Sequence, residues 1–139
     1  TLLNDVKYKG KITGVEIDSE IISIANTYFQ LHEIPNLTVI IDDAFEFVLK
    51  TQEKYDLIVI DIFQDTMMPN FLFEDFFTDR LGVILESKGS VLFNTMITQS
   101  LHNERNLKYI SKFNTKQYKV KSIPRVEEHN ELIILEKLS

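Results

Sequence analysis

Residues 56–60, Asp-Leu-Ile-Val-Ile, constrain this chain more than any other segment. A short unbroken apolar run of this kind is the mark of a strand buried on both faces of a parallel sheet. Parallel strands need crossover connections, and the rest of the sequence supplies them. Residues 11–17 (KITGVEI) read as a strand. Asp18 and Ser19 are N-cap types, and Ile21, Ile24, Ala25, Tyr28 and Leu31 then recur at helical spacing, which predicts a helix with one buried face. Pro35 and Asn36 end it. A second strand is expected over 37–41 (LTVII) and a helix over 44–51. After the central run, 61–70 read as a loop broken by Pro69. Residues 71–85 read as one or two helices with Phe73, Phe76, Phe77 and Leu81 facing inward. Lys88-Gly89-Ser90 reads as a turn before a fourth strand at 91–96 (VLFNTM). A polar amphipathic helix follows over 100–113, and 119–123 and 131–136 form a terminal antiparallel pair. Strands alternating with helices predict an α/β fold, with right-handed crossovers and helices on both faces of a parallel sheet.

A length of 139 residues suits one domain spanning 1–139. No apolar run approaches the ~20 residues of a membrane-spanning helix, and the first residues have no basic, signal-like character. With no cysteine there are no disulfides, thiolate metal sites or cysteine nucleophiles. The net charge of −6 argues against a general nucleic-acid binder, which needs a basic field to displace counterions. The composition leads to an expectation of a cytoplasmic domain and leaves a homo-oligomer open. Only four glycines are present, and no two are close enough to form a phosphate-cradling loop.

In open parallel sheets, ligands bind beyond the carboxyl ends of the strands. Each of the first three strands ends in carboxylates: Glu16 and Asp18, then Asp42 and Asp43, then Asp61 with Asp65 nearby. Such groups can accept hydrogen bonds from sugar hydroxyls or an exocyclic amine, take a proton, or hold a metal. Asp18 reads first as a helix cap, as does one of Asp42 and Asp43. Asp56 and Asp65 read as solvated. Glu16 and Asp61 are harder to explain structurally, because an unpaired charge at an apolar strand end is costly. His32, His102 and His129 form neither a metal-ligand spacing nor a catalytic triad. Phe63, Met67 and Met68 could line a ligand pocket or cover an apolar edge.

The segments Gly14-Val15-Glu16-Ile17-Asp18, Ile41-Asp42-Asp43-Ala44-Phe45-Glu46-Phe47 and Tyr55-Asp56-Leu57-Ile58-Val59-Ile60-Asp61 resemble the spermidine synthase branch of the class I S-adenosylmethionine-dependent methyltransferases. The run PNFLFEDFF at 69–77 and the terminal antiparallel pair are similar to that branch as well. The resemblance implies a Rossmann-like sheet, mostly parallel, with a C-terminal antiparallel hairpin. It further implies that Glu16 binds the ribose hydroxyls, Asp43 the adenine amine with Ala44 beside it, and Ile17 the adenine face. Asp61 would lie by the sulfonium and the attacking amine, binding the nucleoside and serving as base. The implied cofactor is S-adenosylmethionine or its decarboxylated form. The implied partner is a small-molecule amine or another methyl acceptor, with no metal, nucleic acid or membrane.

The resemblance has two departures. The branch follows the Asp61 equivalent with D-S-S-D-P, whereas this chain has Asp61-Ile62-Phe63-Gln64-Asp65, which is apolar and one residue longer. That difference leans toward methyl transfer over aminopropyl transfer. The superfamily's first strand and glycine-rich turn are also not found, and residues 1–6 fall where the helix after that turn should run. The expectation is an N-terminally truncated sheet, a fragment of a longer protein that alone binds S-adenosylmethionine poorly. A catalytically silent interaction domain of the same fold is an alternative. Asp42-Asp43, Asp61 and Met68-Pro69 echo a response-regulator receiver, but the spacing opposes it. Only one helix fits between Asp43 and Asp61, and the Met-Pro pair lies too far on.

Overall fold

The structure, a computed structural model, describes residues 9–63, 67–98, 100–113, 115–126 and 128–139. Residues 1–6, Gln64 and Asp65, on which sequence expectations were placed, lie outside that set. The chain divides into two compact units, Thr1–Lys50 and Thr51–Ser139.

In the first unit, β1 (Ile12–Glu16) pairs in parallel with β2 (Leu37–Ile41), Glu16 lying opposite Ile41. The crossover is α1 (Ser19–Phe29) and a 3-10 turn at Leu31–Glu33, and α2 (Ala44–Lys50) follows β2. Asp18 caps α1 as its residue type predicts, its carboxylate accepting the Glu20 N–H at 2.8 Å. The expected buried face of α1 is not found. Ile21 and Ile24 are half exposed and Tyr28 is 75% exposed. A two-stranded sheet is too narrow to bury a helix face.

The second unit holds β3 (Tyr55–Ile60), α3 (Asp75–Ile84), β4 (Leu85–Met96), α4 (Ser100–Ser111), β5 (Tyr118–Val126) and β6 (Asn130–Lys137). A 3-10 turn at Asn70–Phe73 precedes α3. The strand order is β3-β4-β6-β5, with β3 parallel to β4 and the other pairs antiparallel. The terminal hairpin is therefore as expected, and its inner strand β6 docks on β4.

Three expectations need correction here. Strand β3 is not buried on both faces: Leu57 and Val59, on one face, are 52% and 63% exposed. Among the described residues this strand pairs with β4 alone, and those of its unit leave that face open. Phe76 is also exposed, because the buried stripe of α3 runs through Phe77, Thr78, Leu81 and Ile84 at helical spacing. Lys88-Gly89-Ser90 is not a turn between elements. The strand β4 runs through it, and the pairing jumps from Tyr55↔Leu85 to Leu57↔Ser90, so these residues form a bulge. Lys88 takes φ 64°. A Cβ on Gly89 would lie 2.9 Å from the Glu86 carbonyl oxygen and 3.0 Å from that of Asp56, so only glycine fits.

The core of this unit is aromatic. Phe73, Phe93, Tyr109, Phe113 and Tyr118 stack in sequence, with successive centroids 5.1 to 5.5 Å apart. Most of these pairs are edge-on, the favoured geometry. Val91, Phe93, Ile133 and Leu135 are buried around them. Lys137 closes the far end by donating to the carbonyl oxygens of Gly82 and Leu85, satisfying the last turn of α3.

Tyr109 is fully buried, and its hydroxyl has no hydrogen-bond partner among the described residues. Burial pushes its phenol above the usual tyrosine range. The unfolded chain ionises near pH ~10 while the folded one resists, so stability present below that pH is lost as pH rises beyond it. Replacing an unpartnered buried hydroxyl by hydrogen removes a desolvation penalty. Tyr109→Phe is expected to raise stability by about 1 kcal/mol and to flatten the alkaline loss, measured by urea denaturation at pH 7 and above pH 10.

Candidate active site

The carboxyl edge of the β1–β2 pair gathers the acidic residues that the sequence singled out there. The Asp42 N–H donates to the Glu16 carbonyl oxygen at 3.1 Å, continuing the ladder one residue past the end of β2. The side chains then turn back on the backbone. Glu16 accepts the Asp18 N–H at 2.9 Å, Asp42 accepts the Asp43 N–H at 2.9 Å, and Asp43 accepts the Phe45 N–H at 2.8 Å. Asp43 is thus the cap of α2, as one member of the acidic pair was expected to be. Each of these bonds engages one oxygen of a carboxylate that has two. Glu16, Asp43 and Ala44 are half-buried, whereas Ile17 is 66% exposed and presents an apolar surface at the same edge.

In the second unit, Asp61 directly follows β3 and is exposed, so the burial argument that marked it out does not hold. Its position is set another way. Ile60 lies opposite Phe93, so Asp61 falls beside Asn94 on β4, whose side-chain amide donates to the Asp61 carboxylate at 2.9 Å. Asn94 in turn accepts from the Asn130 amide at 2.9 Å. A line of side chains from β6 through β4 therefore fixes the carboxylate at the end of β3. Asn94 and Asn130 were not foreseen. The available signal was an amide interrupting an apolar strand, and its meaning depends on strand order.

The other residues that the sequence considered are accounted for more simply. His32 lies in the 3-10 turn beside Glu33, and His102 faces Thr98. The Met68 sulfur accepts the Met96 N–H at 3.3 Å, so Met68 seals the end of β4. Met67 is exposed and Phe63 half-buried. Among the described residues no group of three or more His, Cys, Asp or Glu is placed to hold a metal ion, and no helix is long and apolar enough to cross a membrane.

The fold is Rossmann-like, of the kind found in methyltransferases and spermidine synthases. Human methyltransferase-like protein 13 in complex with SAH is similar over 99% of this chain and 65% of that one, with a TM-score of 0.79 and 21% identity. A spermidine synthase in complex with the transition state analogue AdoDATO is similar over 99% of this chain and 50% of that one, with a TM-score of 0.75 and 20% identity. At such identities the likeness shows a Rossmann-like fold and nothing finer. The sequence narrows the assignment: residues 1–127 match the spermine/spermidine synthase domain, and the chain belongs to that family. The polyamine aminopropyltransferase of Vibrio vulnificus (strain CMCP6) is 30% identical over 102 residues, which is 71% of this chain and 34% of that enzyme. The chain spans less than half the length of the curated relatives it matches.

The capping role of Asp43 can be tested by substitution. Asp43→Ala removes the cap of α2 and should cost about 1 kcal/mol, whereas Asp43→Asn keeps a good capping group and should cost only tenths. Equal losses of denaturation midpoint in the two variants would contradict the capping geometry.

Proposed function

We propose that the protein carrying this chain transfers an aminopropyl group from decarboxylated S-adenosylmethionine to a small amine. The observation that carries the reading is the placement of Asp61, held by Asn94 at the carboxyl end of β3 in a chain of the spermine/spermidine synthase family. In this reaction the neutral amine attacks the carbon attached to the sulfonium. A C–N bond forms, the S–C bond breaks, and the electron pair stays on sulfur, which becomes a neutral thioether. The amine sheds one proton, and Asp61 is the group to accept it. Fixing the carboxylate by the Asn94 amide before substrate arrives reduces the freedom that must be lost during reaction.

Recognition of the nucleoside is assigned to the residues at the carboxyl edge of β1 and β2. Glu16 has a second oxygen suited to a ribose hydroxyl, and Asp43 has one suited to the adenine amine. Ile17 offers an exposed apolar side chain for the adenine face, with Ala44 beside Asp43. Methyl transfer from S-adenosylmethionine is the second reading, favoured by the apolar Ile62 and Phe63 directly after Asp61. Both reactions share the same attack and the same base, and they differ in which carbon is displaced from sulfur.

In the full-length protein, Asp61→Asn should lower kcat by about 10²–10⁴-fold while leaving nucleoside affinity nearly unchanged. Glu16→Gln should weaken nucleoside binding by about tenfold in calorimetric titration, the size of one lost charge-assisted hydrogen bond. Unchanged turnover in the Asp61 variant would overturn the assignment of the base. Assay with both sulfonium donors decides between the two transfers.

A further inference from the structure

Where β4 meets α4, the described residues hold a polar cluster that the transfer chemistry does not use. Arg105 on α4 is its hub. One terminal nitrogen, Nη2, donates to the Met96 carbonyl oxygen at 2.9 Å and reaches the Met68 sulfur at 3.7 Å. Nε and Nη2 both reach Asn106 Oδ1, at 3.3 and 3.2 Å. The guanidinium carbon lies 4.2 Å from the centroid of the Phe73 ring, over its face. Asn106 is buried and passes the contact inward, donating to Thr95 Oγ1 at 2.7 Å and to Glu131 Oε2 at 2.6 Å. The Ser122 hydroxyl donates to the other Glu131 oxygen, and the Thr95 hydroxyl to the Glu131 carbonyl at 2.9 Å.

A half-buried cation is costly unless it is compensated. Here compensation is supplied: a chain of matched donors and acceptors leads from Arg105 through Asn106 to Glu131 on β6. The cluster is also specific to arginine. Three acceptors, the Met96 carbonyl, the Met68 sulfur and Asn106 Oδ1, take its N–H groups while an aromatic ring covers one face, and a lysine ammonium cannot meet both demands.

The partners of Arg105 identify what it holds. Met68 and Phe73 belong to the stretch between Asp61 and α3. Met96 ends β4, two residues beyond the Asn94 that positions Asp61. One guanidinium therefore ties the segment following the candidate base to the end of the strand that orients that base. We propose that Arg105 is a positioning residue: it fixes the segment from Met68 to Phe73 against the carboxyl end of β4, so that the acceptor amine meets Asp61 in a single arrangement. This rests on the transfer reading given above.

The test uses Arg105→Ala and Arg105→Lys in the full-length protein. Arg105→Ala should raise KM for the amine acceptor by about tenfold or more and lower kcat, because small misplacements of reacting groups are expensive. KM for the sulfonium donor should stay within about twofold, and the lysine variant should recover only part of the loss. A general packing defect would lower the active fraction without moving the acceptor KM. Hydrogen exchange supplies a readout independent of turnover: amides of 67–73 should lose protection in Arg105→Ala while those of β4 and β6 keep theirs. If that variant does not fold, Met68→Leu removes the sulfur acceptor at similar volume and should loosen the same segment. Unchanged acceptor KM together with unchanged exchange at 67–73 would overturn the proposal. If the wild-type protein transfers neither group, the transfer reading falls, and the exchange experiment still judges whether Arg105 holds the segment.

Discussion

Strand β4 has to satisfy two neighbours that run in opposite directions, and the second unit depends on how it does so. On one edge it accepts β3 in parallel and on the other β6 antiparallel. Register is unforgiving here, because a slip of one residue would exchange the two faces of the strand. Val91 and Phe93 would leave the core, and Asn94 would enter it. The same register sets Asn94 beside Asp61 and Met96 opposite Asn130. Packing and site geometry are therefore fixed by a single alignment. The bulge at Lys88–Gly89 absorbs the mismatch at the entry of the strand, so its carboxyl half can pair without interruption.

Beyond that register, the carboxyl end of β4 is unusual for the amount of polarity it keeps near an aromatic core. Thr95 and Asn106 are buried, and half-buried Arg105 donates to Asn106, which donates to Thr95. Buried polar groups are tolerated when every partner is present and become liabilities when one is missing. Burial holds the Arg105 pKa below its usual value and Glu131 acts to restore it, which is the balance expected of a compensated cation. Such clusters rigidify what they touch, and this one touches the stretch after Asp61. Tyr109, a few residues along the same helix, shows the opposite case of a hydroxyl sacrificed to packing.

The sequence is informative wherever the signal is local. The order of strands and helices, the Asp18 cap, the cap within Asp42-Asp43 and the terminal hairpin all follow from a few adjacent residues. It is less informative where a local signal has two structural meanings. Lys88-Gly89-Ser90 announces a positive φ and a close backbone approach, and both are present, yet the chain continues in the same direction through a bulge. It fails where burial depends on what lies alongside. The run at 57–60 is apolar enough for a doubly covered strand, and whether it is covered is decided outside the run. Asn94 shows the same limit for the site. It reads as one polar residue in an apolar strand, and its importance appears only when the parallel pairing brings it beside Asp61, 33 residues earlier.

The acidic edge of the first unit raises the question of whether residues that cap helices are thereby unavailable for a ligand. The geometry answers that the two uses are compatible. A carboxylate offers two oxygens and about four lone-pair directions. Glu16 and Asp43 each engage one oxygen with the backbone N–H two residues ahead. That bond restrains the side-chain torsions without exhausting the acceptor capacity. A long carboxylate such as glutamate would otherwise lose considerable rotamer freedom on grasping a diol. Tying it first to the backbone moves that loss from binding to folding, where the strand and helix it joins already fix the geometry. The capping preference that argues for a structural role at this edge is therefore compatible with the nucleoside recognition proposed for it.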